Sequence, residues 1–431
     1  MRVLWLCNIM LPAFAGKLGL PSSHREGWLT GLFERLTGRR SDVELGVCCP
    51  VPENLDGIRR SLPTWEGEVI FYGFYEDLNT PELYDERLPG SLYRILEDFK
   101  PDIVHIFGTE FPHALAMTRV FGDPSRILVG IQGLCCSIAD TYRADLPYDV
   151  WNRSTFRDRY RHDSLQDQQR KFEQRAVNER EAILGCGHIT GRTRFDRSVT
   201  ARINPKAHYH VMNETMRSSF YRGQWRAVDA EPHTIFLSQG DYPLKGFHYM
   251  LQAMPYILES FPDARLYVAG NSIIGNEGGL IAPKKYPTPV WITSYGLYLK
   301  KLIRQNRLQG HVFMTGPLDA EAMKRRFLQS SVFVCPSIME NSPNSVCEAE
   351  LLGMPVVAAK VGGIADLILD GEEGILFPGG RYKELAEGVR TVFYDQEIAM
   401  WLGENARHSA RIRHNPDTNF RRLMEIYRSI V

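Results

Sequence analysis

The sequence predicts an α/β fold built on parallel sheets, and three observations carry that expectation. Short apolar runs such as VLWLC and VFVCP alternate with helical segments along the chain. Several of these runs are continuously apolar, as in strands buried on both faces of a helix-covered parallel sheet. At 431 residues, 44% of them apolar, the chain can fill the cores of two or three domains. In such folds ligands gather at the carboxyl ends of the strands.

Residues 3–8 (VLWLCN) read as the first buried strand. A loop with Pro12, Gly16, Lys17 and Gly19 follows, then a helix from about His24 to Leu36. Further strands are expected at 43–49, 68–74, 102–108 and 127–133, with a helix at 91–99. His105 and Gln132 are polar residues inside two of these apolar segments. A hydrogen-bonded structural histidine is the preferred reading of His105. Residues 151–182 look helical and carry Arg153, Arg157, Arg159, Arg161, Arg170 and Arg175 among interleaved acids. A solvated, ion-paired face is the preferred reading, and a face for an anionic membrane or a lipid-linked acceptor the alternative. Strands near 183–190 and 207–212 complete a first domain over 1–221, and the polar segment 222–233 reads as a linker.

The second domain, 234–412, opens with the strand TIFLSQG and a loop holding Lys245 and Gly246 before a helix. A strand at 264–270 leads into a long loop, 271–294, with no helical or strand period, a length usually reserved for functional or mobile segments. A helix at 295–307, a strand at 311–316 and a helix at 318–328 precede the apolar strand 332–336. A polar loop then leads to a helix expected to begin near Ser342, with Ser342 as its N-cap and Pro343 in its first turn. Gly353 and Pro355 stop that helix, and the strand 355–359 and the turn Gly362–Gly363 follow. Strand 374–378 and helices at 381–394, 396–411 and 416–430 end the chain, with residues 413–431 expected to cross back to the first domain.

Composition excludes several classes. Lys plus Arg and Asp plus Glu are both 51, so nothing points to nucleic acid. The N-terminus reads as a strand rather than a signal peptide, and no apolar run reaches the ~18 residues of a membrane span. The eight cysteines form no C-x-x-C pair, so a zinc site is not expected and buried thiols in a reducing cytoplasm are. A cytoplasmic protein, or one peripheral on the inner face of the membrane, is the expectation.

The chemistry concentrates in PSIMENSPNSVCEAELLGMPVVAAKVGGI, residues 336–364. A helix that starts at a strand's carboxyl end offers free N–H groups and a positive dipole end to an anion. Glu340 and Glu348 flank that point as E-x7-E. Carboxylates beside an anion site suit sugar hydroxyls, which they accept in charge-assisted bonds. A phosphate on helix amides with hydroxyl-bearing rings on both sides describes a nucleotide sugar.

This stretch resembles the donor-binding signature of the retaining, nucleotide-sugar-dependent glycosyltransferases of family four. The resemblance is strong after about residue 232 and loose before it. It implies the GT-B fold, two Rossmann-like doubly wound domains facing each other across a cleft. It implies that Glu340 contacts the donor sugar, that Glu348 contacts the ribose, and that amides of Asn344, Ser345 and Val346 hold the diphosphate. Lys245 matches the family lysine that neutralises the diphosphate, and the turn Gly316–Leu318 lies where relatives hold the base. Gly16 matches the single remaining glycine of a usually glycine-rich loop, and Gln132 stands where relatives commonly carry a histidine near the donor sugar.

The sequence departs from the pattern at one charge. Relatives carry an arginine five or six residues before the lysine, where this chain has Gln239 and Gly240. Lys17 and Arg25 are the substitute cations the sequence offers. There is no D-x-D, so no metal and no cofactor are expected. The implied reaction moves a sugar from a UDP-, GDP- or ADP-sugar to a hydroxyl of a glycan or lipid-linked acceptor, in polysaccharide or glycolipid assembly. The alternatives are a nucleotide-sugar 2-epimerase and a non-catalytic nucleotide-sugar-binding subunit.

Overall fold

A computed structural model describes residues 1–20, 27–38, 42–64, 67–274 and 292–431. The chain divides into two compact units. One comprises Met1–Ala139, Lys171–Arg217 and His414–Val431, the other Asp140–Arg170 and Ser218–Arg413. Each is a Rossmann-like parallel sheet covered by helices, the composition of the GT-B fold.

The first unit holds β1 (Arg2–Cys7), β2 (Glu44–Val51), β3 (Arg59–Thr64), β4 (Gly67–Tyr75), β5 (Ile103–Phe107), β6 (Ile127–Gly130), β7 (His188–Gly191) and β8 (His208–Val211). Their order is β3-β4-β2-β1-β5-β6-β7-β8, parallel except for the β3–β4 pair. The two directions of winding part between β1 and β5. Side chains of β1 alternate between two cores: Leu4 and Leu6 on one face, Val3, Trp5 and Cys7 on the other. That is why the strand shows no polar alternation. The helix Pro416–Ile430 belongs to this unit, capped by Asn415 and burying Leu423, Met424, Ile426 and Tyr427. Trp5 Nε1 donates to Tyr427 Oη at 2.8 Å, and His105 Nδ1 lies 2.7 Å from the same hydroxyl.

Three local expectations fail here. The segment after β1 is a helix, Pro12–Leu18, rather than a loop, because Pro12 sits at its first turn and Gly19 closes it in a left-handed conformation. β3 (RRSLPT) was not expected at all, since an exposed edge strand needs no apolar face. The strand expected at 183–190 begins only at His188, because the preceding helix runs to Leu184.

The second unit holds β9 (Thr234–Leu237), β10 (Arg265–Ala269), β11 (Val312–Gly316), β12 (Val332–Cys335), β13 (Val356–Ala359) and β14 (Ile375–Phe377), all parallel, in the order β11-β10-β9-β12-β13-β14. Here the winding reverses between β9 and β12.

Residues 140–170, expected inside the first domain, pack in the second unit. Tyr142, Leu146 and Val150 are buried, Tyr249 Oη lies 3.3 Å from Asp145 Oδ2, and Ser294 N donates to Asp158 Oδ2 at 2.9 Å. The expected linker 222–233 is likewise fixed: Trp225 is buried and donates from its backbone to Leu352 O and from Nε1 to Ser330 O. All eight cysteines are buried. Among the described residues no helix is long and apolar enough to cross a membrane.

Candidate active site

The site grows from two loops at the carboxyl ends of β9 and β12, neighbours at the point where the second sheet reverses. The loops are laced together: Ile338 N donates to Leu244 O at 2.8 Å. Gly246 takes φ +69, and a Cβ there would stand 1.8 Å from Pro336 O. Gly362 takes φ +51, and a Cβ there would stand 1.9 Å from Glu340 O, which also accepts from Gly363 N. Only glycine meets both the left-handed backbone and the close approach.

This lacing brings Lys245 to Glu340. Lys245 Nζ lies 2.7 Å from Glu340 Oε1, and Ser337 Oγ donates to the same oxygen at 2.7 Å. Nζ also stands 5.7 Å from the centre of the Tyr242 ring. Burial acts to lower the Lys245 pKa, but Glu340 and Tyr242 outweigh it and hold the ammonium above its ordinary value. Lys245 is therefore a cation throughout the neutral range. Burial raises the Tyr242 hydroxyl, so it stays protonated beside the pair.

The following helix is Asn344–Leu352, and it starts later than expected. Pro343 is its N-cap, at φ −70 and ψ 118, with no side-chain cap. Ser342 is not the cap. Proline serves because it has no N–H to leave unsatisfied and prefers that extended geometry. Val346 N donates to Pro343 O at 3.1 Å, so of the three expected amides its N–H turns inward. Asn344 and Ser345 occupy the first two positions of the helix. Glu348, one turn inside, is buried.

Its neighbour Glu350 is fully buried, and burial pushes its pKa up to about 8 against the opposing charge of Arg413. Arg413 Nη1 lies 2.8 Å from Glu350 Oε2 while Nη2 donates to Leu367 O. That pair ties the helix to the loop after β13, and it leaves no local trace in the sequence because its partners are 63 residues apart.

Gly316 ends β11 at φ +76, two strands from β9, and Leu318 is half-buried before the next helix. At position 240 the structure leaves no room for the family arginine: a Cβ would stand 2.7 Å from Val268 Cγ1 and 2.9 Å from Phe247 Cδ1. Gln239 Nε2 donates to Asp241 Oδ1.

The remaining expected residues lie in the first unit. Gly16 sits exposed within the helix Pro12–Leu18 rather than in the expected loop, with nothing within 4 Å of a Cβ built on it. Gly19, at φ +66, is the glycine that turns the chain at the end of that helix. Lys17 is exposed and donates to Ser61 O at 3.3 Å. Gln132 Nε2 donates to Glu214 Oε1 at 2.7 Å, and Glu214 pairs with the buried Arg192 at 3.1 Å. His105 is structural: it is fully buried, stacked on Phe107, and its pKa is pushed down to about 3 by burial. Arg25 and most of the loop 271–294 lie outside the described residues. Sequence reasoning missed Ser337 and Tyr242. The only signal was position, since each stands within three residues of an expected site residue.

Residues 219–409 match the family model "Glycosyl transferases group 1". D-inositol 3-phosphate glycosyltransferase of Corynebacterium urealyticum is 26% identical over 190 residues, 43% of this chain and 41% of that protein. Sulfoquinovosyl transferase SQD2 of Arabidopsis thaliana is 36% identical over 96 residues, 22% of this chain and 19% of that protein. The matches thus span less than half the length of these two relatives. Among solved structures, sucrose-phosphate synthase of Thermosynechococcus elongatus aligns over 100% of this chain and 99% of its own, with TM-score 0.71 and 14% identity. Anabaena HepE in complex with UDP and glucose aligns over 100% of both chains, with TM-score 0.65 and 15% identity. At such identities the likeness is one of fold. The second unit thus carries the sequence pattern of group 1 glycosyl transferases, on a fold that the whole chain shares with GT-B glycosyltransferases.

Proposed function

We propose that the protein transfers a sugar from a nucleoside-diphosphate donor to an acceptor hydroxyl, with retention of configuration and without a metal ion. The observation that carries this is the Lys245–Glu340 pair beside the N-terminus of Asn344–Leu352. One cation and the positive end of the helix dipole address a diphosphate, and one carboxylate addresses hydroxyls. A UDP-sugar is the first donor to try, because Anabaena HepE, which shares the fold, has been solved in complex with UDP-glucose.

Charge develops on the leaving diphosphate as the glycosidic bond breaks. Lys245 and the first amides of the helix offset it, and one preorganised donor of that kind is worth roughly 3–4 kcal/mol. Glu340 is held by Ser337 while Lys245 turns to phosphate, so its carboxylate stays in place to accept sugar hydroxyls and to favour positive charge at the anomeric carbon. In a front-face mechanism the leaving phosphate takes the acceptor's proton, and no protein base is required. The acceptor is a glycan or a lipid-linked glycan, and polysaccharide or glycolipid assembly is the setting.

The test is release of nucleoside diphosphate from UDP-, GDP- and ADP-sugars, with product analysis by NMR. Slow hydrolysis of one donor without acceptor, with the sugar first released in the donor's own anomeric configuration, supports the reading. An epimeric sugar nucleotide as product, or tight donor binding with no turnover under any condition, would overturn it.

A further inference from the structure

We propose that the stretch Tyr148–Arg161 of the second unit is a docking surface for an anionic lipid bilayer, entered by aromatic rings and held by the arginines among them. Among the described residues six aromatic side chains are exposed: Tyr93, Tyr148, Phe156, Tyr160, Tyr394 and Trp401. Three of the six fall in this one short stretch, where Tyr148 is 76%, Phe156 56% and Tyr160 66% exposed. Isolated exposed aromatics need no explanation, but a cluster of them marks an interaction site.

The stretch is held in place rather than loose. Tyr148 opens the short helix Tyr148–Trp151, and Phe156 and Tyr160 sit four apart on the helix Phe156–Arg161, their rings 6.3 Å apart and nearly parallel. Thr155 and Asp158 close a capping box at that helix's start. Asp158 is fully buried and accepts from Ser294 N, while Val150 is the buried residue of the first helix. The backbone that carries the rings is thus ordered before contact, which spares that part of the binding cost.

Charge selects the partner. Arg153, Arg159 and Arg161 are exposed, and the half-buried Arg157 pairs with Asp158 and Asp163. Of the two acids in the stretch, Asp158 is buried, and only Asp149 is exposed. Aromatic rings at the headgroup level with arginines beside them form an interfacial anchor, and anionic headgroups complement the surplus positive charge. The other two exposed aromatics that are near in sequence, Tyr394 and Trp401, lie among the exposed acids Glu397 and Glu404 and do not suit such a surface. Since no described helix is long and apolar enough to cross a membrane, the attachment would be peripheral.

Sedimentation of the full chain with phosphatidylcholine vesicles, with and without phosphatidylglycerol, tests this. Binding should require phosphatidylglycerol and weaken with added salt. The triple variant Tyr148→Ser, Phe156→Ser, Tyr160→Ser should lower the partition coefficient roughly tenfold or more, and Arg153→Gln, Arg159→Gln and Arg161→Gln about fivefold each. Trp401→Ala should change nothing. Exposed side chains are altered, so the unfolding temperature of each variant should stay at the wild-type value and show it folded. Equal binding to both vesicle types, no binding, or indifference to the aromatic variant overturns the proposal. So does light scattering that finds a dimer which the triple variant makes monomeric, since the surface would then belong to a second copy. Vesicle binding is read without sugar nucleotide and sugar transfer without vesicles, so either reading can fail alone.

Discussion

Lys245 Nζ lies 2.7 Å from Glu340 Oε1, so the residue assigned to the donor's phosphates and the one assigned to its sugar are ion-paired with each other. Side-chain exposure of 21% and 11% places the pair near the surface rather than in the deep core. The pair fixes the charge state of the lysine and places the carboxylate before a donor arrives.

The two residues should therefore act as one unit. Lys245→Ala and Glu340→Gln should each lower kcat, Lys245→Ala by about 10²–10³ as for loss of one preorganised donor. The double variant should be far less impaired than the product of the two factors, because each single change already breaks the pair. Strict additivity in the double-mutant cycle would show that the pairing has no bearing on turnover.

Glu348 and Glu340 should fail differently. Glu348 is buried one turn into the helix and is assigned to the unreacting ribose, so Glu348→Gln should weaken binding of free UDP and raise KM at least as much as it lowers kcat. Glu340→Gln should leave UDP affinity nearly intact and cut kcat by an order of magnitude or more, if ~1.4 kcal/mol or more of differential stabilisation is lost. Calorimetry with UDP and kinetics with the sugar nucleotide separate the two. Equal loss of UDP binding in both would end this division of roles.

Gly246→Ala and Gly362→Ala should destabilise the second unit. Each introduces a Cβ within 2 Å of a carbonyl oxygen at a left-handed backbone position. A strained site of this kind costs about 1–3 kcal/mol or more, which for a unit of this size lowers Tm by roughly 2–12 °C. Gly16→Ala, in open space within a helix, should be neutral or slightly stabilising in the same calorimetric scan. A wild-type Tm in Gly246→Ala would show that the loop can move away from Pro336.

Stability should fall with acid below neutral pH. His105 and His248 are buried, and burial pushes both pKa values down to about 3. A histidine whose folded pKa is depressed takes up protons in the unfolded chain first. Its contribution is therefore complete above the unfolded pKa near 6.5 and is lost progressively as pH falls from there toward 3. Each should contribute a loss of about 2 kcal/mol between pH 7 and pH 5. His105→Gln should remove its share of that slope in urea titrations at the two pH values, while costing stability at pH 7 through the Tyr427 hydroxyl. An unchanged slope would mean that His105 already carries a proton when folded.

EDTA should leave turnover unchanged, because Lys245 and the helix amides are assigned the phosphate charge and the sequence offers no D-x-D. Loss of activity restored by Mg²⁺ or Mn²⁺ would overturn that assignment.

Local pattern alone determined the alternation of strand and helix, the buried strands, and the place of the E-x7-E loop before a short helix. Continuous apolar runs such as VLWLC record burial on both sheet faces, a property each strand carries in its own residues. The Gly246 and Gly362 positions were legible as turns, but not the carbonyls they pass, because Pro336 and Glu340 belong to other loops. Edge strand β3 stayed hidden for want of a core face, and the seat of residues 140–170 because Tyr249 and Ser294, its partners, are over a hundred residues away. Sequence resemblance could assign Lys245 and Glu340 separately to one donor, but only the tertiary structure put them 2.7 Å apart. Hydrogen bonds across 95 residues leave no local trace, since they depend on which strands become neighbours at the sheet's reversal and on backbone room for two loops to meet.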